Sequence, residues 1–147
     1  MQRVDALGQA HTLNGFQAFL SVNNNKLAAG QVIITDATDV VTPPDLLTVV
    51  ATLTNAAFSV AYTATPLAAG CQLMSYISPP LSPGRSFNKN YRLLAVSAAA
   101  AASPANLLAA FTAAFGAPIT GMRVFMRFCV QQGGFVGQPY DIAQVIA

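Results

Sequence analysis

The stretch Met122–Gln131, MRVFMRFCVQ, alternates without a break. Met122, Val124, Met126, Phe128 and Val130 fall on one side, and Arg123, Phe125, Arg127, Cys129 and Gln131 on the other. Successive side chains of an extended chain point to opposite faces, so this period of two predicts a half-buried strand. The wholly apolar side requires a core beneath it. The other side interleaves two arginines with a phenylalanine, which suits a surface that touches a partner. A sheet with one apolar face must bury it against a second layer, so this pattern commits the chain to a layered, β-rich fold.

Further strand signals recur between turns. Leu47–Leu53 (LTVVATL) and Ala57–Thr63 (AFSVAYT), joined at Asn55, predict a hairpin. Cys71–Ser78 and Tyr91–Ser97 read as two more strands, separated by the Pro79-Pro80 and Pro83-Gly84 loop. A last strand is expected within Tyr140–Ile146, after the turn Gly133–Gly137. Ser103 as N-cap and Pro104 at the first helical position predict a helix running to about Phe115, stopped by Gly116 with Pro118 beyond. Six strands and one inserted helix in about a hundred residues match the size of an immunoglobulin- or fibronectin-like β-sandwich.

A helical arm is expected ahead of the sandwich. The opening MQRVDALGQAHT is polar. From Thr12, a candidate N-cap, Leu13, Phe16, Leu20 and Leu27 recur near the helical period, with Phe19 widening the stripe. Gly15 and Asn23–Asn25 weaken this helix, and Gly30 is a plausible stop. Gln31–Thr35 (QVIIT) reads as a short strand, Asp36–Asp39 as a turn, and Pro43-Pro44-Asp45 as a break. These signals divide the chain into an arm, 1–44, and a sandwich, 45–147. An isolated helix this short is marginal, so the arm is expected to pack on another chain.

Composition bears on what covers the surface. Charged residues make up 8% of the chain, against roughly 25% in ordinary globular proteins. There is no glutamate, and the acids are Asp5, Asp36, Asp39, Asp45 and Asp141. No charge occurs from Leu46 to Gly84 or from Leu93 to Met122. So few charges beside 54% hydrophobic residues indicate a surface partly covered by partners. A net charge of +2 argues against nucleic acid as that partner. Leu93–Phe115 is uncharged, but its alanines and the Ser103-Pro104 interruption argue against a membrane span. No basic segment followed by an apolar run opens the chain, so no signal peptide is expected.

No constellation for catalysis stands out. His11 is the only histidine and has no carboxylate or cysteine beside it in sequence. The two cysteines, Cys71 and Cys129, fit neither a zinc site nor a disulfide-dense scaffold, although neighbouring strands could bring their sulfurs together. The glycines lack the spacing of a phosphate cradle, and no pair of aspartates has metal or glycosidase spacing. No enzyme activity, cofactor, metal or small-molecule substrate is therefore expected. The loop SPGRSFNKNYR interleaves Arg85, Lys89 and Arg92 with Phe87 and Tyr91. Arginine and aromatic residues together are typical protein-interface anchors. The expected interface residues are thus Phe16, Phe19 and Leu20 on the arm, Arg85, Phe87, Tyr91 and Arg92 in the loop, and Arg123, Phe125 and Arg127 on the long strand.

The series LNGFQAFLSVNNNKLAAG, TPLAAGCQLMSYISPPLSPGRSF, YRLLAV, SPANLLAAFTAAFG and GMRVFMRFCVQQGGFVGQP resembles a group of uncharacterised phage- and prophage-associated structural proteins. In that group a helix precedes an immunoglobulin- or fibronectin-like module. The likeness runs from about Leu13 to the late strand, and its motifs carry no catalytic residues. It implies a structural role in a virion, capsid-associated or in the tail, with other copies of the chain and other virion proteins as partners. The alternative is an extracellular or cell-surface β-sandwich subunit capable of forming filaments.

Overall fold

A computed structural model describes residues 2–4, 10–12, 15–35 and 42–147. The side chains of residues 1–14, His11 and Leu13 among them, and the expected turn at Asp36–Asp39 lie outside the described residues. In chain order the elements are β1 (Gln2–Val4), β2 (Ala10–Thr12), α1 (Gly15–Ala28), β3 (Thr48–Leu53), β4 (Phe58–Thr63), β5 (Cys71–Ile77) and β6 (Arg92–Val96). They continue with β7 (Ala105–Asn106), α2 (Leu108–Phe115), β8 (Arg123–Gln132), β9 (Phe135–Val136) and β10 (Tyr140–Val145).

Over the described residues the chain is mainly β, with two principal antiparallel sheets and two helices, one of them N-terminal. The larger sheet runs β10-β8-β5-β6, with β9 folded back on β8. The smaller runs β3-β4-β7. Each of the six long strands expected from alternation and turn chemistry forms, with ends displaced by one residue or so. β8 is the hub: it pairs with β5 from Met126 to Gln132, with β10 from Arg123 to Phe128, and with β9 at Gln131 and Gln132.

One face of β8 meets the smaller sheet as its alternation requires. Val124, Met126, Phe128 and Val130 share a core with Val49 and Leu53 of β3, with Phe58, Val60 and Tyr62 of β4, and with Cys71, Leu73 and Ile77 of β5. The helix α2 packs on β6. It drives Phe111 into this core, edge-on to Phe58 at 5.7 Å between ring centroids. At the far edges the sheets are tied by main chain, Ala147 N–H donating to Leu53 and Asn55 N–H to Ala147.

Three local expectations are corrected. The helix after Ser103-Pro104 begins only at Leu108, because Ala105 and Asn106 are taken up as a strand beside β4. The Ser103 hydroxyl caps no helix; it accepts the Tyr62 amide at 3.0 Å. In the arm, α1 starts at Gly15 instead of Thr12, since Ala10–Thr12 pairs antiparallel with Gln2–Val4. Gln31–Thr35 forms no strand, as side chains of α1 and of the larger sheet hold it instead.

Phe128 has no solvent exposure and sits amid this core, whereas Val50 is 63% exposed on β3. Phe128→Ala is expected to cost about 3–5 kcal/mol of stability by lost transfer energy and cavity formation. Val50→Thr, on the outer surface, should stay within about 0.5 kcal/mol. Chemical denaturation of the two variants checks the contrast.

Candidate functional site

The second face of β8 is covered as well. Val22, Met74, Phe125, Cys129 and Phe135 are buried yet stand apart from the main core. Two segments outside the principal sheets cover this face from opposite ends.

The arm covers one end. Gly134 has φ +90°, and a Cβ there would lie 2.6 Å from the Val22 carbonyl oxygen and 2.7 Å from Val22 Cγ1. Only glycine therefore admits α1 so close to the β8–β9 turn. Asn25 Nδ2 donates to the Gly134 carbonyl at 2.9 Å, across more than a hundred residues. Past the helix, Gln31 Nε2 donates to Gln72 Oε1 at 2.6 Å and Gln31 Oε1 accepts from Gln131 Nε2 at 3.3 Å. Gln72 Nε2 in turn reaches the Ser97 carbonyl at 3.1 Å. Three glutamines from three segments thus clip the arm to the sheet. Gln131 is fully buried, and among the described residues its Oε1 has no partner, which costs free energy.

The loop between β5 and β6 covers the other end. Leu81 and Arg123 exchange main-chain hydrogen bonds, and Ser78 Oγ accepts the Phe125 amide at 3.0 Å. The Arg123 guanidinium lies 5.4 Å from the Phe125 ring centre. Beyond it opens a cleft of about 520 Å³ whose walls include Phe87, Tyr91, Phe125, Arg127 and Asp141. Arg127 grips Asp141 with two of its three nitrogens, Nε at 2.7 Å and Nη2 at 2.8 Å, and rests 4.8 Å from the Tyr91 ring centre. The Asp141 bond and charge hold the Arg127 proton more tightly than usual. Burial, then the Asp141 charge, pushes the Tyr91 hydroxyl upward.

The ten expected interface residues divide into separate places. Phe125 was expected to stand uncovered, but it is only 7% exposed. The loop whose prolines disguise its path folds over it. Arg123 and Arg127 are half-buried beside it, and Tyr91 is half-buried at the cleft wall. Arg85, Phe87 and Arg92 are exposed, with Arg85 Nε donating to the Phe87 carbonyl at 3.2 Å and Arg92 6.0 Å from the Phe115 ring centre. On α1, Phe19 is half-buried, while Phe16 and Leu20 are exposed. Loop and arm therefore form two distinct surfaces. The Gln31–Gln72–Gln131 clip carries no sequence signal, because no spacing announces side chains that meet only in the folded chain.

The cysteines end up on neighbouring strands with opposite orientations. Cys71 lies in the main core and Cys129 on the covered outer face, so they are free and separated by the sheet. Burial pushes the Cys129 thiol up to about 12. Among the described residues no group of three histidine, cysteine or acidic side chains could hold a metal, and no helix is long and apolar enough to cross a membrane. Comparison with protein-family models, with curated proteins and with solved structures found no match.

A thiol that holds its proton more tightly folded than unfolded leaves the folded state with more bound protons at high pH. Cys129 should therefore cost stability as pH rises from about 9 towards 12, with no effect at neutral pH. Cys129→Ser is expected to flatten the alkaline decline of the melting temperature relative to the parent. At neutral pH neither buried thiol should react with a thiol reagent until denaturant is added.

Proposed function

We propose that the chain is a non-enzymatic structural subunit of a phage virion, capsid-associated or part of the tail, working through protein–protein contacts. Its body in this reading is an immunoglobulin- or fibronectin-like sandwich, and its partners are copies of itself and other virion proteins. The observation that carries the reading is the bare apolar side of α1, where Phe16 is 69%, Leu20 45% and Leu27 62% exposed. A surface of this kind is costly in water and normally marks a contact. The charge-poor composition and the resemblance of the sequence motifs to phage-associated structural proteins point the same way. Phe87, 62% exposed at the lip of the cleft, supplies a second anchor.

The reading requires the chain to travel with particles. An antibody to it should mark virions purified on a density gradient, in fractions that also hold packaged DNA and the major capsid protein. Recovery instead in genome-free homopolymers at the cell surface would overturn the assignment to the virion. Phe87→Ser should leave the melting temperature within about 2 °C, since an exposed substitution costs little, and it should lower the amount of chain recovered per particle.

A further inference from the structure

The helix α1 has two apolar sides, and only one is used within the chain. Val22 and Asn25 face the β8–β9 turn, as the Gly134 contacts require. At 100° per residue Phe16, Leu20 and Leu27 fall together on the opposite side. The segment after the helix extends this surface. Asn23 Nδ2 donates to the Ile34 carbonyl at 3.1 Å and its Oδ1 accepts the Ile34 amide at 2.9 Å. The Gln31 amide bonds the Lys26 carbonyl at 2.8 Å. These bonds lay Val32 and Ile33 back along the end of the helix, 84% and 47% exposed. Among the described residues the amides of Val32 and Ile33 donate to no carbonyl.

We propose that this surface, Phe16, Leu20, Leu27, Val32 and Ile33, binds the same surface of a second copy of the chain about a two-fold axis. A two-fold contact sets the patch against a copy of itself, so it favours a patch without like charges to repel. The patch has none. The one charged residue of α1 is Lys26, whose stem lies on the docked side, 3.0 Å from a Cβ at Gly134. The five side chains leave on the order of 500 Å² uncovered, at the upper end of the patches monomers tolerate. A standard interface buries about 800 Å² on each partner, so this patch can form its apolar centre. These two amides, of Val32 and Ile33, without an acceptor among the described residues, give the partner's extended segment something to pair with. A membrane surface is a poorer occupant, because a helix that lies on lipid carries several basic residues along its polar face, and α1 carries only Lys26.

The inference deepens the proposed structural role and rests on it for its purpose, but it is tested on the purified chain alone. Sedimentation equilibrium across roughly 1–100 μM, the range of modest interface affinities, should give a mass approaching twice 15.3 kDa. Leu20→Glu should weaken association at least tenfold with an unchanged circular dichroism spectrum. Phe16→Lys, in the first turn and clear of the sheets, repeats the test should Leu20→Glu misfold. Val50→Thr, on the exposed face of β3, should leave the mass unchanged. A parent chain that stays monomeric throughout, or a dimer untouched by both helix variants, overturns the inference. Monomers that still mark virions would sink the two-fold contact and spare the structural role. A dimer absent from virions would do the reverse.

Discussion

Everything in this molecule depends on β8 being buried on both sides. Its inner side chains close the core between the sheets, and that alone would give an ordinary two-layer fold. Its outer side chains include Phe125, Cys129 and Gln131, which a half-exposed strand would leave in water. The chain supplies two covers, the arm over Gln131 and the proline-framed loop over Phe125. Polar bonds of specific geometry help to hold each cover. Only side chains that reach the right atoms can seat it.

The arm shows how a short helix becomes stable without belonging to the core. One buried valine, one asparagine bond and a glycine turn fix its inner side, and the glutamine clip fixes the chain that leaves it. A single buried side chain is a small hydrophobic contribution for a helix of this length. The outward stripe of Phe16, Leu20 and Leu27 holds more apolar surface than the inward one. That imbalance is the physical reason to look for a partner there and not at the long strand.

Charge is used sparingly, and among the described residues no charged side chain is fully buried. Arg127 and Asp141 satisfy each other beside Tyr91, and Asp45 accepts the Gln138 amide at 3.2 Å near the break after the arm. Beside the exposed Asp45, Arg85, Lys89, Arg92 and Asp141, the outer surface is chiefly alanine, serine, threonine and scattered apolar residues. Such a surface is weakly solvated and weakly repulsive, and it tolerates close approach by a neutral neighbour.

The six long strands were legible in the sequence because alternation and turn residues act locally, over a few positions. So were α1 and the apolar inner side of β8. Of the candidate interface residues, Phe16, Leu20, Arg85 and Phe87 are exposed, whereas Phe125 is buried. Ser103-Pro104 carries every local mark of a helix start, yet its hydroxyl is claimed by Tyr62 of a strand some forty residues earlier. The same holds for Gln31–Thr35, a run of strand formers held by Asn23, Gln72 and Gln131. Periodicity determines which residues share a face. Which segment covers that face depends on loop paths and long-range polar bonds, and these exist only once the tertiary structure has closed.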